Sequence, residues 1–270
     1  GEQFGAGVIK SPNGGYFDSP FMNSVGDRIY FLYSKAAVND FMMGTKKFAF
    51  AADLPNHVTM PGLEWNTDLY YIQWDGKNWS QPLNLGTEIN TVGNECCVWL
   101  NDQETEIIFT RGGFGREGVG KYGNFIATRK DRNSAWGEPQ LLSGVYGSQE
   151  TSRVKYDVHK TPSGDLYLWE GDKDTLEGGK LLYGKKNGNG WDEPVEIPGT
   201  DTGLNETQPW VSENELTLLF NRRGADANTK LMRMTRKSRT KTWGNLQEVE
   251  TRDFKDPNGM LAWGEPTFSS

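Results

Sequence analysis

Along this chain hydrophobic residues gather in short runs separated by turns rich in Gly, Asn, Asp and Ser, and they do not recur at helical spacing. Four strong runs, at 29–33, 107–109, 166–169 and 216–220, are each followed by another at 69–72, 125–127, 181–183 and 231–234. Runs of this length between turn signals predict strands, and their near-continuous apolar character predicts strands covered on both faces. A tryptophan marker closes each set: Trp79-Ser80-Gln81-Pro82, Trp136-Gly137-Glu138-Pro139, Trp191-Asp192-Glu193-Pro194 and Trp243-Gly244-Asn245-Leu246, at intervals of 57, 55 and 52 residues. A first strand opening on an acid precedes each set, at Asp18, Glu95, Glu150 and Glu206, with Glu265 near the end; the intervals are 77, 55, 56 and 59 residues. The long first interval places a polar, turn-rich insertion at 36–65.

A four-stranded unit repeated four or five times predicts an all-β protein, a β-propeller of antiparallel blades, because a sandwich has no reason to repeat its sequence. The units fall at 18–86, 95–144, 150–199 and 206–250, in a single domain spanning 1–270, with 1–17 and 251–270 closing the ring. Five blades are expected, with four as the alternative, since the two terminal segments together supply less than one unit. The marker tryptophans are read as outer-strand packing.

Composition agrees. Thirty-three Gly, 12 Pro and 12% aromatic residues suit many short strands and tight turns. A formal charge of -7 argues against a nucleic-acid partner, and the basic cluster at 233–241 reads as a solvated turn. No apolar stretch reaches membrane-spanning length, and no leader is recognisable at the start. A monomer is expected. Cys96 and Cys97 are adjacent, so in a strand they point to opposite faces; a disulfide between them would be strained, and both read as buried thiols. The two histidines, His57 and His159, lack zinc-ligand spacing, and neither a phosphate cradle nor a Gly-x-Ser-x-Gly elbow is present.

The string at 84–139, opening NLGTEINTVGNECCVWLNDQETEIIFTRGGFG and closing AWGEP, resembles the WD-like β-propeller repeat of TolB and of periplasmic proteins carrying OmpA-type domains, and 204–246 is a second good match. The resemblance implies a propeller and a periplasmic or secreted setting. TolB joins its propeller to an N-terminal domain with no counterpart in this sequence, so no TolB role is carried over. Asp18-Ser19-Pro20, followed by Gly26-Asp27-Arg28-Ile29-Tyr30-Phe31, is also similar to the first blade of five-bladed glycoside hydrolases of the arabinanase and family 43 type. That likeness implies Asp18 as base and Glu150 or Glu206 as acid. The chain departs from the pattern after Glu150, where Thr151-Ser152 stands in place of Gly-Pro.

First strands of propeller blades line the central channel, so Asp18, Glu95, Glu150, Glu206 and Glu265 are expected at one mouth. Carboxylates gathered there must raise some pKa values, bind a cation or find donors. Three readings follow. The first is a binding module for a glycan or a protein partner, in which Trp65, Glu95, Arg111, Arg222 and Glu265 contact the ligand. The second is a glycoside hydrolase built on paired carboxylates. In the third, the acids belong to the repeat and bond neighbouring backbone amides. Asn94-Glu95 and Asn205-Glu206 repeat an oxygen pair suited to Ca2+. Arg111 and Arg222 close second strands, where a salt bridge within the blade is the default expectation. Trp99 and Trp210 read as interblade packing; Trp65, beside Glu64 in the insertion, is the candidate lid aromatic, with Trp74, Trp169 and Trp263 the other tryptophans left for a ligand. Specificity is expected in the non-repeating segments 36–65 and 252–263.

Overall fold

The computed structural model describes residues 16–35, 54–58, 66–112, 123–142, 152–172, 177–225 and 229–249. Within them every regular element is a strand, and four antiparallel four-stranded sheets form the blades of a β-propeller. Blade one holds β1 (Tyr16–Met22), β2 (Arg28–Ser34), β3 (Asp68–Gln73) and β4 (Leu83–Asn84). Blade two holds β5 (Glu95–Leu100), β6 (Glu106–Arg111), β7 (Gly123–Thr128) and β8 (Gln140–Leu141). Blade three is β9 (Arg153–Lys160), β10 (Leu166–Asp172), β11 (Lys180–Gly184) and β14 (Val195–Glu196), with the hairpin β12 (Lys186–Asn187) and β13 (Gly190–Trp191) before its outer strand. Blade four comprises β15 (Asn205–Val211), β16 (Thr217–Arg223), β17 (Thr229–Thr235) and β18 (Gly244–Glu248). The terminal segments expected to close a fifth blade lie outside the described residues, as does most of the insertion.

The apolar runs bury alternate faces against different neighbours. Ile107 and Phe109 of β6 join Tyr30, Leu32 and Leu69 between blades one and two, while Ile108 joins Val158, Leu166 and Leu168 between blades two and three. Tyr156, Tyr167 and Leu181 meet Val211, Leu218 and Phe220 between blades three and four. Side chains alternate in a strand, so a strand covered on both sides is apolar throughout; all seven residues of β2 are buried.

Each marker tryptophan packs against a residue one or two positions past the third strand of its blade. Arg129 sits 4.0 Å over Trp136, Lys186 4.2 Å over Trp191 and Arg236 4.3 Å over Trp243, while Trp74 packs 5.5 Å from Trp79. A side chain stacked on the marker tryptophan, a cation in blades two to four and Trp74 in blade one, thus covers the edge of each described blade.

Two backbone irregularities recur in all four blades. The turn joining first and second strands has a positive φ at Gly26 (77°), Glu104 (53°), Gly164 (88°) and Glu215 (58°). The innermost strand carries a bulge at Ser19, Cys97, Asp157 and Gln208, with φ of 54°, 59°, 50° and 57°, and the pairing register slips there in each blade. The registers make Asp18 equivalent to Cys96, Tyr156 and Thr207, whereas Glu95 and Glu206 match Phe17 and Lys155. This corrects the expected acid column: Asp18 stands one residue past the place of Glu95 and Glu206, and so on the other face, and in blade three that place belongs to Lys155 and not to Glu150.

Candidate functional site

The innermost strands β1, β5, β9 and β15 converge, and their bulges surround a narrow axial cavity of about 50 Å³ lined by Pro20, Val98, Val158 and Pro209. Two residues beyond each bulge stands a ring: Phe21, Trp99, His159 and Trp210, one from each blade. The same four rings form the floor of a wider cleft of about 320 Å³ that opens among the turns linking first and second strands. Asn101, Asp102, Gln103, Lys160 and Glu213 rim it. Glu106 accepts a hydrogen bond of 2.6 Å from Lys160 Nζ, so acids outnumber cations at this mouth.

Packing and backbone fix the quartet. His159 lies between Trp99 and Trp210, at ring-centroid distances of 6.4 and 6.1 Å. Burial among these rings pushes its imidazole down to about 4, against a partly offsetting hydrogen bond with the Val211 backbone, so it is neutral at physiological pH. Trp169, buried in β10, donates its indole N–H to Asp157 in the bulge. Asn221 Nδ2 donates to Gln208 Oε1 at 2.6 Å in the same way. Second strands therefore hold the bulges of the third and fourth blades in place.

The predicted site residues are placed as follows. Asp18 is half-buried in β1 and accepts a hydrogen bond from the Ser19 amide at 2.8 Å. Glu95 is fully buried; it accepts from Arg111 Nε at 3.1 Å, from the Thr91 hydroxyl at 2.6 Å and from the Thr91 amide at 3.1 Å. Burial pushes its carboxyl up to about 7, although Thr91 and Arg111 pull the other way. Glu206 repeats the arrangement with Thr202 and with Arg222 Nε, the latter at 2.8 Å. Asn94 Oδ1 accepts from the Thr67 amide at 3.0 Å and Asn205 Oδ1 from the Gly179 amide at 2.5 Å. Each Asn-Glu pair thus ties the third strand of one blade to the first strand of the next. Oxygens of all four proposed calcium ligands face these donors, and among the described residues no group of three or more His, Cys, Asp or Glu is arranged to hold a metal ion. Trp74 is paired with Trp79 and Trp169 with Asp157. Glu150, Glu265, Trp65 and Trp263 lie outside the described residues. Among those residues no helix is long and apolar enough to cross a membrane.

Glu95 and Glu206 stand near the start of β5 and β15 and the cleft at the other end of those strands, so following these acids does not lead to the quartet. Its one sequence signal was the repetition of Trp99 and Trp210 at matching places in two blades. Those two do pack between blades, against His159, and they also line the axis.

The four-stranded antiparallel sheets define a β-propeller. No protein-family model matches the chain, and no curated protein does. Among solved structures it is similar to the catalytic domain of a GH62 α-L-arabinofuranosidase from Coprinopsis cinerea, with 17% identity, a TM-score of 0.53, and coverage of 97% of this chain and 77% of that one. The α-L-arabinofuranosidase PaAbf62A of Podospora anserina, solved with cellotriose, gives 15% identity, a TM-score of 0.52, and coverage of 95% and 74%. A TolB-type protein of Agrobacterium tumefaciens is similar at 11% identity and a TM-score of 0.46, covering 86% and 80%. At such identities the likeness is one of fold.

Proposed function

We propose that this chain is a glycan-binding β-propeller that receives its ligand in the axial cleft on the quartet of Phe21, Trp99, His159 and Trp210. One observation carries this reading: four rings, one from each described blade, floor a single cleft rimmed by amides and carboxylates. Aromatic faces offer flat apolar area to the C–H face of a sugar, while Asn101, Asp102, Gln103 and Glu213 offer partners to its hydroxyls. A cleft of this size lies at the small end of the ~300–1,000 Å³ range of ligand pockets and suits the end of an oligosaccharide rather than a long chain laid flat. Neutral His159 adds a polar edge without charge. A periplasmic or extracellular setting fits this role.

A second reading, hydrolysis, is favoured by the fold shared with arabinofuranosidases and by Asp18 on the innermost strand of blade one. It places the chemistry at Asp18, three residues before Phe21 in β1. Calorimetric titration with arabino-, xylo- and cello-oligosaccharides, alongside a turnover assay, separates the two. The binding reading expects saturable binding without turnover, weakened about 10-fold or more by Trp210→Ala. Turnover that is lost in Asp18→Asn while Trp210→Ala remains active would favour hydrolysis. Binding of none of these sugars would turn attention to a protein partner.

A further inference from the structure

The bulge in β5 does something to the two cysteines that a regular strand does not. Neighbouring side chains on a strand point to opposite faces. With Cys97 at φ 59° the two side chains turn together, and the Cys97 thiol donates to Cys96 Sγ at 2.8 Å. That separation is within about 1 Å of the ~2.05 Å of a disulfide bond. Neither cysteine is in a disulfide. Their surroundings differ: Cys96 is 2% exposed inside the blade, while Cys97 is partly exposed and lines the axial cavity beside Val98 and Asp157.

We propose that Cys96 and Cys97 form a peroxide-reactive dithiol that closes reversibly into a vicinal disulfide at the propeller axis. Cys97, reached through the channel, is the attacking sulfur and Cys96 the resolving one, a division of labour typical of oxidisable cysteine pairs. In the first step the Cys97 thiol gives up its proton and the thiolate attacks one oxygen of hydrogen peroxide; the O–O bond breaks, Cys97 becomes a sulfenic acid, and the leaving hydroxide takes up that proton and departs as water. In the second, Cys96 Sγ attacks that sulfur, the S–O bond breaks, and the leaving hydroxide takes the Cys96 thiol proton and departs as a second water. Two thiols have been oxidised by two electrons and one peroxide reduced to two waters. The ring so formed joins adjacent residues and is strained, and strain makes a disulfide easily reduced. Trp99 lies two residues further along the same strand, so closure is transmitted to the floor of the cleft.

The test uses the whole chain treated with one equivalent of hydrogen peroxide, followed by intact mass, thiol counting after denaturation, and tryptophan emission. The expected result is a mass lower by about 2 Da, loss of both thiols within one peptide, a change in emission, and full reversal by dithiothreitol. In Cys96→Ser, Cys97 instead gains one oxygen, about 16 Da, and is captured by dimedone; in Cys97→Ser the folded protein does not react. A wild-type protein that gains oxygen, keeps both thiols, or forms disulfide-linked dimers overturns the proposal, whatever the variants do.

Discussion

The imidazole of His159 stands 6.1 Å from the Trp210 indole across the junction of the third and fourth blades, and burial holds it neutral to about pH 4. An unfolded histidine takes up a proton near 6.5, so between about pH 6.5 and 4 the unfolded chain binds more protons than the native one. The stability this residue contributes is complete above pH 6.5 and is lost as pH falls through about 4. Glu95 acts in the opposite sense: with its carboxyl raised from 4.5 to about 7, its contribution is complete below 4.5 and is lost as pH rises through 7. Melting temperatures of wild type and His159→Phe from pH 4 to 7 separate the two, the variant losing the acid-side fall. His159 C2–H resonances titrating near 6.5 instead of 4 would contradict this.

Above pH 7, where Glu95 is ionised, removing Arg111 strands a buried carboxylate. Arg111→Ala is expected to cost about 3–5 kcal/mol by chemical denaturation, the usual penalty for breaking a buried pair from one side. Glu95→Gln, which keeps the shape and the Thr91 contacts, costs less. Because the oxygens of Asn94, Glu95, Asn205 and Glu206 face protein donors, a chelator is expected to leave the melting temperature unchanged. A clear downward shift would assign a cation to these residues after all.

Glu104 and Glu215 occupy a turn position that Gly26 and Gly164 fill in the other two blades. A glutamate there accepts a left-handed backbone costing about 1–2 kcal/mol, so its side chain must return more than that. Glu104 accepts from Asn23 Nδ2 at 2.8 Å, from Arg28 Nη1 at 3.1 Å and from the Tyr30 hydroxyl, which bolts blade two to blade one. Glu215 accepts from the Ser163 amide at 2.9 Å and pairs with half-exposed Arg239 at 2.8 Å and, more loosely, with buried Arg236 at 3.6 Å. Glu104→Ala leaves buried Arg28 short of its counter-charge and is expected to destabilise by about 3–5 kcal/mol, more than Glu215→Ala. Equal losses in urea denaturation would show that the Arg28 pairing is not the main term.

Gly179 is required for a spatial reason. A Cβ there would lie 2.4 Å from Asn205 Oδ1 and 2.6 Å from the Glu206 carbonyl oxygen, so the tie between blades three and four must open. Gly179→Ala is expected to cost about 1–3 kcal/mol or more. Gly188→Ala meets nothing within 4 Å but sits at a φ of 55° in an exposed turn, and should cost less.

Much of the fold was legible in the sequence because propeller repeats write packing into composition. The strands around Phe31, Phe109, Leu168 and Phe220 bury both faces and so read as unbroken apolar runs, and the tryptophans recur because each packs against a side chain just past the third strand. The bulges were not legible. Ser19, Cys97, Asp157 and Gln208 share a backbone conformation but no chemistry, and none is the glycine that would announce a positive φ. Aligning the units on their acids set Asp18 one residue past the place of Glu95 and Glu206 and took Glu150 where the register has Lys155, because charge is conspicuous in sequence, although in Glu95 and Glu206 it is met by Arg111 and Arg222. The quartet escaped for a related reason: phenylalanine, tryptophan and histidine look unlike one another until the register places them at one level of the axis.

The most direct test of the axial site is the indole N–H spectrum of the protein during titration with arabino-, xylo- and cello-oligosaccharides. Resonances of Trp99 and Trp210, assigned through Trp→Phe variants, are expected to shift together and saturate at one affinity, while those of Trp136, Trp191 and Trp243 at the blade edges stay in place. Saturable binding that moves the edge tryptophans and leaves Trp99 and Trp210 unmoved would contradict a glycan site in the axial cleft.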